Sequence, residues 1–138
     1  MTIHKLLQAA LLVFGATCCL LYPLAIVWPA GWAWHTGSPA ASNYFLMIVG
    51  VYLTLGIFLI RAAADPQAHR SLIQFAIWSS VLHAAIMAAQ SFGAPMHRGH
   101  LVGDVPALLL GAAVLGWLLH ADRRAEPASG LAPAPAAP

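Results

Sequence analysis

The sequence predicts an all-α fold, a polytopic integral membrane protein built as a four-transmembrane-helix bundle. Composition is the first reason: 61% of the 138 residues are hydrophobic and 7% are charged, against roughly 25% charged in soluble domains. The second is four apolar runs near the ~20 residues that cross a bilayer. The third is the placement of the six Lys and Arg residues. With the N-terminus inside, Lys5, Arg61, Arg70, Arg123 and Arg124 fall on the cytoplasmic side and Arg98 alone falls outside, as the positive-inside rule requires. Both termini are then cytoplasmic.

The first span, Leu6 to Trp28, follows His4 and Lys5. It is too long for a signal-peptide core of about 7–15 residues, and Pro23 should kink it. Cys18 and Cys19 are adjacent within it, a spacing that suits neither a zinc site nor a disulfide framework. Thr17 stands where a lipoprotein signal would carry Gly or Ala before Cys18, so the pair reads as small packing residues. The second span is Tyr44–Ile60, capped by Ser42 or Asn43. The third is Ser71–Phe92, with a helix start at Asp65–Pro66. The fourth, Val105–His120, is extended by Ala121–Arg124 into the headgroups. Residues 1–124 thus form the membrane domain. Residues 125–138, rich in Ala and Pro without periodicity, read as a disordered tail. Trp28, Trp32, Trp34 and Tyr44 form an outer aromatic belt, with Trp117 near the inner face.

Small residues let helices approach closely in lipid. Ala76, Ser80, Ala84 and Ala88 on the third span and Gly103, Ala107 and Gly111 on the fourth recur every four residues. These stripes are the expected close contact, although an alanine-rich chain also produces such stripes by chance.

Polar groups in so apolar a chain are the candidates for function. His83 is at the midpoint of the third span, with Ser79, Ser80, Met87 and Gln90 on its side of the helix. The structural alternative is a neutral imidazole bonded to a neighbouring helix. A haem would need a second His at matching depth, and no other span has one. An outer cluster gathers His97, Arg98, His100 and Asp104, with His35 in the first outer loop. His35, His97, His100 and Asp104 are chemically fit metal ligands. On a continuous helix His97, His100 and Asp104 would share one face. Gly99 and Gly103 weaken a helix there, however, and Asp104-Val105-Pro106 reads as an N-cap with proline in the first turn. Asp104 is therefore expected to cap the fourth helix, with Arg98, His97 and His100 supplying counter-charge and hydration. No cofactor is expected. No nucleophile elbow, phosphate loop or zinc-protease pair occurs, and a net charge of +2 leaves no basic footprint for nucleic acid.

Three segments, Leu21–His35, Leu46–Phe92 and His97–Gly111, resemble the BphX-like proteins in order and spacing. The likeness spans roughly Leu21 to Leu119. These are small bacterial integral membrane proteins of unassigned function, named from gene clusters for biphenyl breakdown. The resemblance implies a bacterial inner (cytoplasmic) membrane and a lipophilic aromatic molecule nearby. It carries over no catalytic residue. The expected role is an accessory or lipophilic-small-molecule-interacting protein rather than an enzyme, with the bilayer as its surroundings and a homo-oligomer or partner membrane protein as assembly. The alternatives are a metal or haem redox protein, using His83 or His97, His100 and Asp104, and a carrier or channel component for a small solute.

Overall fold

The computed structural model describes residues 2–32, 37–93 and 95–125. Five α-helices carry the fold: α1 (Ile3–Cys19), α2 (Leu21–Val27), α3 (Asn43–Ala62), α4 (Arg70–Gly93) and α5 (Asp104–Ala125), joined by short 3-10 turns. No strand occurs among the described residues. Three helical runs are long and apolar enough to cross a membrane, and a fourth results if α1 and α2 count as one span. The expected tail lies outside the described residues from 126 onward.

Thr2 begins α1 as its N-cap, the hydroxyl accepting from the Lys5 N–H at 3.4 Å. The helix therefore starts three residues before the expected Leu6. It then breaks at Leu20, and α2 departs at 58°. The expected kink within a single helix is thus a break between two. Its cause is Pro23, which has no N–H for the Cys19 carbonyl and whose ring would collide with it. The disruption consequently falls in the turn before the proline.

Ser42 caps α3 by accepting from the Phe45 N–H at 3.2 Å. The Asp65–Pro66 signal makes a turn rather than the helix start itself. The Asp65 carboxylate accepts from Ala68 N–H at 3.1 Å, and His69 N–H donates to Pro66 at 3.3 Å. The α-helix begins only at Arg70. A second difference concerns the start of the last span. The 3-10 turn Pro95–Leu101 runs directly into α5 through bonds from Val102 and Gly103 to the Gly99 carbonyl. His97–Ala125 is effectively one run of 29 residues. Gly99 and Gly103 do not interrupt it, because tight i→i+3 bonding carries the chain past them.

α1 packs along both α3 and α5, and α5 also packs along α4. α3 and α4, although joined by a short turn, meet over a much smaller length. The core is Leu7 and Leu11 of α1, Leu59 with Ala63, Ile73 and Ala76 of α4, and Leu115, Leu118 and Leu119 of α5. It therefore sits near the end of the bundle that holds both described termini. The opposite half is looser.

α1 and α3 meet backbone to backbone. A Cβ on Gly15 would lie 2.8 Å from the Gly56 carbonyl oxygen, and one on Gly56 would lie 2.6 Å from that of Gly15. The expected small-residue contact is half present. Ala76, Ser80 and Ala84 are buried on α4, which does pack on α5. On α5, however, Gly103 and Ala107 are exposed and Gly111 faces the Phe14 ring of α1. A four-residue repeat drifts about 40° per step on a 3.6-residue helix. The α5 stripe consequently rolls off α4, and the buried face is Val105, Ala112, Leu115, Leu118 and Leu119 instead.

Large apolar side chains cover the outside, among them Val51, Trp78, Leu82 and Leu110, each more than 60% exposed. Contiguous apolar surface of this extent marks a membrane or partner-facing exterior. Trp28, Tyr44 and Trp117 of the expected belts are likewise exposed, and Trp34 lies outside the described residues.

Candidate functional site

The loose half of the bundle contains a cavity of about 300 Å³ between α1, α3, α4 and α5. Its wall is mostly apolar, with Phe14, Phe45, Leu108 and Met87. Polar side chains break that wall: Thr17, Tyr52, His83, His100 and Asp104.

Helix periodicity brings His83 here. Ser80, Ala84 and Ser91 turn one side of α4 into the bundle, and His83 sits at its margin, half-buried. Its Nδ1 is 3.4 Å from the Tyr52 hydroxyl of α3, with the rings edge-on at 6.0 Å. The two share a hydrogen bond whose direction follows the imidazole tautomer. The bland expectation for this histidine, a bond to a neighbouring helix, is thus met by Tyr52, a residue the sequence reading did not single out.

At the outer rim the His100 Nδ1–H donates to the Asp104 carboxylate at 2.5 Å. These residues are four apart on one face of a continuous helix. That corrects the expected cap: the carboxylate takes its bond from an imidazole, while Pro106 has no N–H to give it and the Ala107 N–H donates to the Gly103 carbonyl. The His97 ring stacks on His100 at 5.9 Å and 22°. Ser91, 1% exposed, fastens this segment to α4 by donating to the Met87 and His97 carbonyls, each at 2.8 Å.

Other expected members stand apart. Arg98 is exposed and is six residues from Asp104, on another side of the helical run, so of the expected counter-charges His100 reaches the carboxylate and Arg98 does not. Gln90 is exposed. His35 lies outside the described residues. Among the described residues no three His, Cys, Asp or Glu side chains converge to hold a metal ion.

A second polar cluster lies at the other end and was not foreseen. Asp122, 4% exposed, has its carboxylate oxygens 3.3 Å and 3.4 Å from the His4 Nδ1. The Gln67 amide also donates to Asp122, and Arg70 Nε donates to the Gln67 carbonyl oxygen. These contacts tie α1, the α3–α4 turn and α5 together. A signal for it existed: Leu115, Leu118 and Asp122 continue one buried stripe at three- and four-residue steps. The headgroup reading of Ala121–Arg124 obscured it.

Chemically, the outer cavity offers an apolar volume with a hydroxyl, an imidazole and an imidazole–carboxylate pair along one side. It can seat a small apolar body and exchange hydrogen bonds with a single polar group on it. Nothing among curated proteins and nothing among solved structures matches the chain. One protein-family match was found, covering residues 1–133. On that match, the chain belongs to the family of unknown function DUF6632.

Proposed function

We propose that this protein is a four-span protein of the bacterial inner membrane, both termini cytoplasmic, that binds a small lipophilic molecule bearing a hydrogen-bonding group. One observation carries the reading: His83 and Tyr52, paired near the middle of two apolar helices, face the same cavity as His100 and Asp104. Ionisable groups at such depth are costly unless they serve a site. The exposed apolar exterior supports membrane residence, and five of six basic residues at one end support the orientation. The likeness of Leu21–Leu119 to the BphX-like proteins favours an aromatic ligand, and an accessory role in aromatic-compound metabolism belongs to the same proposal.

The test compares 2-naphthol with naphthalene on purified protein in detergent. A bound ligand raises stability by about 2.7 kcal/mol at one hundred times its dissociation constant. The hydroxylated probe is expected to raise the melting temperature at lower concentration, and His83→Leu is expected to abolish that preference. Equal shifts from both probes, or no shift, refute the binding reading. Membrane residence is tested separately by alkaline carbonate washing and by topology reporters after Ser38 and at Pro138.

A further inference from the structure

We infer that the open groove between α3 and α4 is a binding site for an anionic phospholipid of the leaflet at the Arg61 end. The inference rests on membrane residence but not on a ligand in the outer cavity.

The groove holds about 840 Å³ and exists because α3 and α4 splay apart. Its walls are mostly apolar, with Met47, Val51, Leu72 and Phe75, and it shares Tyr52 and His83 with the neighbouring cavity. From Met47 to Phe58 it follows α3 for about 16 Å, centred on the middle of that helix, so a chain entering beside Arg61 would run past the midplane of a ~30 Å hydrocarbon core.

Charge selects the headgroup. Phe58 closes the inner end of the groove, and the Arg61 guanidinium lies over its ring at 5.8 Å. Among the described residues Arg61 forms no ion pair. Among the described residues the two acids at this end are engaged elsewhere: Asp65 holds the Ala68 N–H, and Asp122 holds His4 and Gln67. Lys5, Arg70, Arg123 and Arg124 add positive charge at the same end. A phosphate beside Arg61 would thus meet a cation, while its acyl chain lay in the groove. Basic side chains near an anionic lipid surface contribute about 1 kcal/mol each, which is roughly fivefold in binding.

The structure also supplies the blocking variant. A Cβ at Gly50, on the groove wall, would meet nothing within 4 Å. The side chain of Gly50→Phe therefore starts into open space on the groove wall. The experiment is native mass spectrometry of the whole protein in detergent mixed with phosphatidylglycerol or phosphatidylcholine. The parent is expected to retain one phosphatidylglycerol roughly fivefold more than phosphatidylcholine. Arg61→Gln should lose that headgroup preference, and Gly50→Phe should lose the retained lipid. Equal retention of both lipids, or retention unchanged in either variant, overturns the site. A lipid-free dimer that disappears with Gly50→Phe would mean that a second copy fills the groove, and overturns it too. A protein released from membranes by carbonate alone would instead defeat the membrane reading beneath it.

Discussion

Replacing Gly56 with Ala tests the backbone-to-backbone contact of α1 and α3. A Cβ there would be 2.6 Å from the Gly15 carbonyl oxygen and 2.7 Å from the Cys19 sulfur. Ordinary contact begins near 3.4 Å, so the deficit to the carbonyl is about 0.8 Å. The sulfur can swing away, but the carbonyl belongs to the α1 backbone, so α1 and α3 must separate. Overpacking of this kind costs about 1–3 kcal/mol. Alanine recovers about 1 kcal/mol of helix propensity, leaving a net loss of up to about 2 kcal/mol. Gly50→Ala, six residues earlier on α3, has the same propensity gain and nothing within 4 Å to oppose it. It should be neutral or stabilising. Unfolding both variants by SDS titration in detergent micelles, followed by tryptophan fluorescence, measures the difference. The double variant Gly15→Ala/Gly56→Ala should lose less than the sum, because the first substitution already opens the interface. If Gly56→Ala unfolds together with Gly50→Ala, the close-contact reasoning is wrong.

Further outcomes follow from the polar clusters. Asp122→Ala strips the acceptor from Gln67 and His4 and should cost about 1–3 kcal/mol in the same titration; an unchanged midpoint would mean that water replaces the carboxylate. His83→Leu should lose about 0.6 kcal/mol, the usual worth of an interhelical bond in membranes. Tyr52→Phe in that background should then add almost nothing, and full additivity would dismiss the pair. Asp104→Asn should lose about half of what Asp104→Ala loses, since a charge-assisted bond is roughly twice a neutral one. Equal stability of Asp104→Asn and parent would restore the capping role, where the two residues rank alike.

Apolar runs and caps were legible in the sequence because they are local. Hydropathy over about 20 residues located α3, α4 and α5, and Ser42 announced the α3 start. The pair His100 and Asp104 was legible as a one-face arrangement, since four-residue spacing on a helix leaves little freedom. What depends on which helix neighbours which was not. Gly15 and Gly56 stand alone in sequence with no stripe around them, and only the packing of α1 on α3 gives them meaning. Tyr52 reads as an ordinary interior aromatic until α4 brings His83 beside it. Asp122 was hidden for a different reason: among charged neighbours it resembled a solvated helix end, while its register with Leu115 and Leu118 turned it inward. The glycines before α5 misled in the opposite direction, because propensity weakens a helix without forbidding a tight turn that leads into it.

The break at Leu20 has a bearing on the surrounding lipid. At 17 residues, α1 is about 25 Å long, whereas α4 at 24 residues reaches about 36 Å. A hydrocarbon layer of about 30 Å exceeds the first and falls short of the second. In the membrane reading, α2 must complete the first span although it bends away by 58°, while α4 tilts to fit. Each ångström of mismatch costs a fraction of a kcal/mol, so on that reading the chain-length composition of a host membrane acts on the bent first span and on α4 in different ways.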